Sequence, residues 1–271
     1  MIIIHAVIIF PMKYNLLFLF FVLFTGGCKL MPKNDEKAAN KPNEFYHYSL
    51  WAALVNKIYD GTLTVKEAKT HGDIGLGSYN GVDGELIMLD GVLYQVPSSG
   101  EVKLVDDSMH IPYLNATFFN KEFSFEINDR LNYDSMRKLI HQHYPSNNFF
   151  YAFKIHADFD SLKLGSMDKQ QRPYQQSLDS LLPHRPTFSH TNVSGTMVGF
   201  YCPDFIGDIN AAGFHLHFLS DDKKVAGHVM EFTGKNFKVD MDKLTSYRFV
   251  LPETNDFDTV NLYKKFQYGK K

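Results

Sequence analysis

The spacing of apolar positions predicts two main helices. Residues 49–59 begin with Ser49 and carry apolar side chains at helical intervals after it, which predicts a helix capped by that serine. Residues 133–143 show the same periodicity and predict a helix that starts near Asn132. The chain between and after these segments is therefore expected to form strands and turns.

Short apolar runs bounded by turn residues dominate the rest of the chain. Residues 84–94 predict a hairpin, with Asp90-Gly91 as its turn. Further strands are predicted at residues 116–119, 122–127, 149–155, 195–201, 213–219, 225–232, 236–241 and 247–251. The five closely spaced strands of the second half predict a small antiparallel sheet or barrel.

The N-terminal segment has the pattern of a targeting signal. An apolar run at residues 16–24 follows Lys13 and is too short to span a bilayer as a helix. Small residues then precede Cys28, as in the lipobox of exported bacterial lipoproteins, so residues 1–28 are predicted to be a signal peptide with a lipidated cysteine. An ordinary cleaved signal, giving a periplasmic or secreted protein, is the alternative, and Met12 is a second candidate start.

The remaining sequence divides into a tether and a folded body. Residues 29–43 are polar, contain two prolines and predict a flexible tether. Residues 44–271 are predicted to form one domain with substructures at about 44–160 and 161–271. The lipid anchor is the only membrane attachment expected.

Composition narrows the functional classes. Hydrophobic residues make up 44% of the chain and charged residues 21%, which is typical of a globular protein, and the 15% aromatic content suits a β-rich core. The formal net charge is −2, and no basic stripe is present. The sequence therefore provides no electrostatic basis for binding nucleic acid.

Three histidines have the spacing of a metal site on a β-hairpin. His215 and His217 are two residues apart, so on a strand their imidazoles project from the same face. A polar turn at residues 220–224 precedes His228, which an antiparallel return can bring beside them. Three protein ligands leave coordination positions open, which is the catalytic pattern for zinc, iron, manganese or copper.

Two other interpretations of this spacing remain open at this point. The histidines could be unrelated core or surface residues, since the chain contains 12 of them. A cupin also carries two histidines in this arrangement, but the glutamate that usually follows them is absent from residues 218–224.

The residues around the histidines resemble those of the α-acetolactate decarboxylase family. The similarity rests on a set of ordered motifs, namely Gly72-Asp73-Ile74-Gly75-Leu76-Gly77-Ser78-Tyr79, Val82-Asp83-Gly84-Glu85-Leu86, Asn148-Phe149-Phe150-Tyr151-Ala152-Phe153, Arg172-Pro173-Tyr174, Gly195-Thr196-Met197-Val198-Gly199-Phe200, Gly213-Phe214-His215-Leu216-His217-Phe218 and Ala226-Gly227-His228-Val229. These motifs run through nearly the whole predicted domain.

This resemblance implies a fold, a cofactor and a reaction. The expected fold is a two-part α/β (α+β) structure, with a mixed sheet in the N-terminal half and the metal site in the C-terminal half. The expected reaction is decarboxylation of 2-acetolactate to acetoin and carbon dioxide, with Zn²⁺ as cofactor and a homodimer as the usual assembly. The family's metal ligands fall on His215, His217 and His228, its glutamate near the metal on Glu85, and a substrate-binding hydroxyl on Ser78.

The chemistry of the implied reaction fits these residue types. Loss of carbon dioxide leaves an enediolate, which a metal ion can stabilise as a Lewis acid, so neither pyridoxal phosphate nor thiamine is required. A carboxyl group must then protonate one face of the intermediate, and Glu85 is the candidate for this general acid.

One position departs from the family pattern. The family normally carries an arginine eight residues before the proline of its Lys-Pro-Tyr motif, where it is expected to pair with the substrate carboxylate. That position is Gly165 here, and Lys163 is the nearby cation that could replace the arginine. The departure leaves open a catalytically impaired relative that binds an oxo-acid or a partner, besides the active enzyme and a cupin-like metalloenzyme.

The lipobox pattern yields the first testable prediction. Cys28→Ser removes the thiol that lipidation requires, so the variant should move from the membrane fraction to the soluble fraction, as followed by fractionation and immunoblotting. Cys202→Ser is the matched control and should leave the distribution unchanged. A wild-type protein already found in the soluble fraction would contradict the anchor.

Overall fold

The computed structural model describes residues 43–144 and 146–263. The strands are β1 Glu44–Tyr48, β2 Leu63–Thr64, β3 Ile74–Ser78, β4 Glu85–Leu89, β5 Val92–Val96, β6 Lys103–Leu104, β7 His110–Ile111, β8 Tyr113–Thr117, β9 Phe123–Ile127, β10 Leu131–Asn132, β11 Phe150–Gly165, β12 Thr187–Cys202, β13 Gly213–Ser220, β14 Ala226–Leu244 and β15 Ser246–Val250. The helices are α1 Trp51–Val55, α2 Val65–Ala68, α3 Tyr133–His141, α4 Leu178–Leu181 and α5 Asn255–Thr259, with 3-10 turns at Leu182–His184 and Asp204–Ile206.

The first sheet is mixed, as predicted. Its strand order is β15-β1-β8-β3-β4-β5-β6. Strand β15 runs parallel to β1, and the other neighbours are antiparallel. Every residue of the central strands β3 and β4 is buried, because apolar side chains cover both faces of the sheet.

The second sheet is antiparallel and closes on itself. Its path is β10-β14-β11-β12-β13, β9 also pairs with β14, and β13 pairs back onto β14. The pairings β11–β12, β12–β13, β13–β14 and β14–β11 therefore form a ring of four strands. The predicted antiparallel sheet or barrel is confirmed, although its strands are longer than expected.

The predicted boundary between the two substructures, at about residue 160, does not coincide with the boundary between the two sheets. Strand β11 runs through that position, and β15 joins the first sheet rather than the second. The two sheets share an apolar layer that contains Ile74 and Ile87 from the first and Val198 and Phe200 from the second. Burial of this layer between the sheets is a main source of stability for the fold.

Helix α3 and the β4–β5 hairpin confirm local sequence signals. The Asn132 side chain accepts a hydrogen bond from the backbone N–H of Ser135 and caps α3. Asp90 and Gly91 both adopt positive φ, as a tight hairpin turn requires.

The first predicted helix is only partly correct. Helix α1 is shorter than the predicted helix over residues 49–59, and its N-cap is Leu50 rather than Ser49. Ser49 has φ of 72°, and its backbone N–H donates to the carbonyl of Val250, which anchors the segment to the end of β15. Lys57, also at positive φ, lies just beyond the C-terminus of the helix. Tertiary anchoring therefore overrides the helical periodicity.

The predicted signal peptide, Cys28 and nearly all of the tether lie outside the described residues. Within residues 43–144 and 146–263, no helix combines the length and the apolar character needed to cross a bilayer.

Asp242 is a buried carboxylate on β14. One of its oxygens accepts a hydrogen bond of 2.9 Å from the backbone N–H of Asn120, and the other oxygen is buried without a hydrogen-bond partner. Burial, with smaller contributions from Glu122 and Asp73, raises the pKa of Asp242 to about 6. The folded state therefore binds this proton more tightly than the unfolded chain does.

This carboxyl predicts a pH-dependent difference between the wild type and Asp242→Asn. A raised folded-state pKa contributes stability that is present below the unfolded pKa and is lost as pH rises through about 6. Between pH 4.5 and pH 8 the free energy of unfolding of Asp242→Asn should therefore rise by roughly 1–3 kcal/mol relative to the wild type. Urea unfolding with a chelator present throughout measures this difference without metal release. Parallel pH profiles would contradict the assignment.

Candidate metal centre

The three predicted histidines converge where the ring of strands closes. His215 and His217 lie two residues apart on β13, and Leu216 between them is buried in the core on the opposite face. His228 on β14 is the Cα partner of His217 on one side and of Gly165 on the other. One possible ligand atom from each histidine lies within 4.8 Å of those of the other two. The predicted cluster is therefore formed.

Gly227 allows His228 to reach this position. Its φ is 151°, and a Cβ at residue 227 would lie 2.8 Å from the carbonyl oxygen of Gly165. A larger residue would therefore force β14 away from β11 at the point where the ring closes.

The imidazoles are held neutral, which leaves lone pairs for a metal. Burial lowers the pKa of His215 to about 4 and holds the pKa values of His217 and His228 well below 6.5. Neutral imidazole is the ligand form of histidine, so the environment favours metal binding over protonation.

A hydrogen bond to the first sheet orients His217. Its Nδ1 lies 2.8 Å from the carbonyl oxygen of Leu86 on β4, so this nitrogen carries the proton and donates. Its Nε2 therefore has a lone pair, and it is buried without a hydrogen-bond partner. A metal-ligating histidine commonly donates its other N–H to a carbonyl in this manner.

Glu85 completes the centre from the opposite sheet. It begins β4 directly after Gly84, which turns with φ of 76°. The Glu85 Oε2 lies 3.3 Å from the Nε2 of His217, but the two atoms form no hydrogen bond. The unprotonated Nε2 of His217 cannot donate to the carboxyl, so its lone pair lies beside an oxygen of Glu85. Burial raises the pKa of Glu85 to about 8, partly offset by Arg185.

Ser78 is buried beside Glu85 on the neighbouring strand. The two residues are Cα partners, and the Ser78 hydroxyl donates a hydrogen bond of 2.7 Å to the carbonyl of Gly84. Ser78 thus fixes the residue before Glu85 and also lines the cavity. Its contact with substrate stays a prediction.

A cavity lies above the histidines and has a largely apolar wall. Its polar lining comes from Ser78, Glu85, Arg185, His215 and His228. The apolar lining comes from Trp51, Leu54, Gly77, Val82, Tyr113, Met167, Leu178 and Leu182. A small polar molecule could thus bind the polar floor while the apolar wall excludes water.

Lys163 does not reach this cavity. It lines a separate groove with Ser189 and Glu231. On β14 its Cα partner is Glu231, three residues along from His228, whereas the Cα partner of Gly165 is His228 itself. The structure therefore does not support Lys163 as a substrate-binding cation.

The Arg172-Pro173-Tyr174 motif holds a connecting segment rather than lining the cavity. Arg172 forms ion pairs with Asp60 and Asp256, and the Tyr174 hydroxyl donates to Asp60 at 2.8 Å. These contacts anchor the segment between Met167 and Leu178, two residues of the cavity wall.

Arg185 is a cavity residue that the sequence analysis missed. It follows the 3-10 turn Leu182–His184 and comes two residues before β12. No local motif marks it, and only the register that pairs Gly165 with Thr187 brings it to the site.

Comparison with known proteins places this centre among related sequences and structures. A family model described as alpha-acetolactate decarboxylase matches residues 45–264. The alpha-acetolactate decarboxylase of Bacillus licheniformis is 34% identical over 82% of this chain and 87% of that protein. The corresponding protein of Methanosarcina mazei is 32% identical over 84% of this chain and 79% of its own length. The crystal structure of alpha-acetolactate decarboxylase from Bacillus subtilis strain 168 superposes with a TM-score of 0.79, at 31% identity, over 82% of this chain and 94% of that chain.

The three-histidine geometry predicts the effect of removing one ligand. His228→Ala should weaken metal affinity by more than about 100-fold, the upper end of what changes outside the ligand sphere cost. The fold should persist, because His228 contributes to the ring of strands through its backbone. Metal analysis and circular dichroism measure both effects. His110→Ala, which removes an exposed imidazole on β7, is the control. Unchanged metal content in His228→Ala would remove this residue from the site.

Proposed function

The chain belongs to the alpha-acetolactate decarboxylase family, and on that premise we propose that it converts 2-acetolactate to acetoin and carbon dioxide with zinc as its metal. One observation carries the proposal: three neutral imidazoles cluster beside one buried carboxyl, and His215, His228 and Glu85 of this group line a single cavity. The cupin-like alternative is wrong, because the family match and the structural similarity extend over most of the chain.

Zinc suits the donor set of the site. Three imidazole nitrogens with open positions are typical of catalytic zinc, and His215, His217 and His228 would hold the ion. The buried Nδ1 of His215 and Nε2 of His217 have no hydrogen-bond partner, so ligands are available in the cluster. When bound, the cation supplies Lewis acidity at the substrate oxygens.

The cavity can separate the two halves of the reaction. The bond between the carboxylate and the tertiary carbon breaks, carbon dioxide leaves, and the electron pair stays on that carbon. The apolar wall, which includes Trp51 and Tyr113, shields this carbon from water. A proton must therefore come from a group of the protein.

Glu85 is placed to deliver that proton. Among the described residues that line the cavity, it is the one carboxyl group. Its backbone is fixed between β3 and β5, and the bond from Ser78 to Gly84 holds the turn that precedes it. Delivery from a fixed position exposes one face of the planar intermediate, which leads to a single acetoin enantiomer.

Two further features of the proposal rest on the sequence alone. The lipid anchor at Cys28, with export to the cell surface or periplasm, follows from the lipobox pattern. A homodimer follows from the resemblance to the family.

The proposal predicts that acetoin formation can be lost while the bound zinc is retained. Purified wild-type protein should hold about one zinc per chain and form acetoin from racemic acetolactate. Glu85→Gln keeps the volume of the side chain but removes its proton, so the rate of acetoin formation should fall by about 10²–10⁴-fold while zinc stays bound. Colorimetric acetoin assay and metal analysis on the same sample measure the two quantities.

Asp242→Asn is the matched control, because it makes the same chemical change at a buried carboxyl that does not line the cavity. It should leave acetoin formation unchanged. Zinc loss in Glu85→Gln would show a metal ligand instead of a proton donor. Zinc-loaded wild-type protein that forms no acetoin above a chelated sample would overturn the proposed reaction and favour the impaired relative.

A further inference from the structure

Arg185 brings a positive charge to the cavity from outside the family's motif. Its side chain lines the cavity together with Glu85, His215 and His228. Among the described residues that line this cavity, it is the one lysine or arginine.

The guanidinium of Arg185 has hydrogen-bonding capacity that the protein does not use. Its Nε is buried and has no hydrogen-bond partner. Within the described residues, Arg185 forms no ion pair with an Asp or Glu carboxylate. A buried, unsatisfied charged donor is costly, and it is normally satisfied by an anion. An anionic ligand in the cavity would satisfy this donor.

Gly165 leaves the space that Arg185 occupies. A Cβ built on Gly165 would lie 3.2 Å from the Nε and 3.3 Å from the Cδ of Arg185. Any side chain at residue 165 would therefore press on the guanidinium stem. The glycine and the arginine act as a pair, in which the first provides room and the second fills it.

The position of Gly165 gives this pair a specific meaning. It is the Cα partner of His228, so it lies directly beside the metal ligands. It is also the position at which the family's arginine is expected. The departure at residue 165 is therefore matched by a guanidinium that approaches the same place from the β12 side of the sheet.

We propose that Arg185 binds the carboxylate of the substrate, a 2-hydroxy-3-oxo acid, in place of an arginine at residue 165. A guanidinium can hold a carboxylate through two parallel hydrogen bonds, which orients the bond that breaks. The Arg185 stem contacts the space above Gly165, and the fixed backbone there includes Ser166, whose hydroxyl donates 2.6 Å to the carbonyl of Val96. When neutral carbon dioxide leaves, the guanidinium loses its anionic partner, which favours release of the product. This inference rests on the proposed function.

Binding of a carboxylate probe tests the inference without catalysis. Zinc-loaded protein is titrated calorimetrically with 2-hydroxy-2-methylpropanoate and with its neutral primary amide. The wild type should bind the carboxylate more tightly than the amide. Arg185→Ala should weaken carboxylate binding on the order of 10²-fold and leave amide binding nearly unchanged. Arg185→Lys should fall between them, because an ammonium retains the charge but not the paired geometry.

Activity and metal content separate this inference from the proposed function. Arg185→Ala should keep its zinc and lose kcat/KM mainly through KM. Arg137→Ala, which removes a partly exposed arginine of α3 that does not line the cavity, is the control and should match the wild type in all assays. Equal preference for carboxylate over amide in wild type and Arg185→Ala would overturn the role of Arg185 while leaving acetoin formation by the wild type intact. Failure of the proposed function, in contrast, would appear as zinc-loaded wild type without acetoin.

Moving the arginine tests whether the two positions are interchangeable. The double variant Gly165→Arg/Arg185→Ala should regain much of the carboxylate preference lost in Arg185→Ala, because truncation of Arg185 frees the space beside residue 165. Gly165→Arg alone should lower the melting temperature, since its Cβ meets Arg185 and the sulfur of Met230 at 3.1 Å. A folded, zinc-containing double variant without carboxylate preference would contradict the exchange of positions.

Discussion

The hydrogen bond from His217 to the Leu86 carbonyl joins the two sheets at the candidate metal centre. It fixes the tautomer of the imidazole, and it ties β13 to β4, whose first residue is Glu85. The ligands belong to one sheet and the carboxyl to the other, so the centre exists only while the sheets stay in this relative position. The apolar layer between the sheets holds that position. The hydrogen bond then fixes the imidazole of His217 against one carbonyl oxygen of β4.

Local signals predicted the parts of the site that lie close together in the chain. His215, His217 and His228 share a hairpin, where alternation and a polar turn suffice to bring them together. The Asp90-Gly91 turn and the Asn132 cap were also readable, because each depends on one or two residues. By comparison, Ser49 precedes a segment with helical periodicity but adopts positive φ, because a backbone hydrogen bond to Val250 anchors it. No local pattern records such a distant partner.

Arg185 is a second example of a contact that no local sequence pattern records. It is separated from Gly165 in sequence and reaches it only through the register of two long strands. The sequence neighbours of residue 165 suggest Lys163 as the replacement cation, but Lys163 lines another groove. The family resemblance located the missing arginine, and the three-dimensional structure was needed to find its replacement. A missing motif residue and a missing function are therefore different observations.

The separation of the guanidinium from the metal framework has a consequence for divergence. Arg185 lies in an irregular connection between Pro183 and Pro186, whereas the histidines belong to paired strands whose backbone closes a ring. Proline on either side restricts the backbone of this connection, so the arginine is held without occupying a strand. Substitutions in a few connecting residues can thus alter which acids enter the cavity, while the ligand geometry is inherited unchanged. In such an arrangement, substrate selectivity and metal affinity can evolve as independent traits.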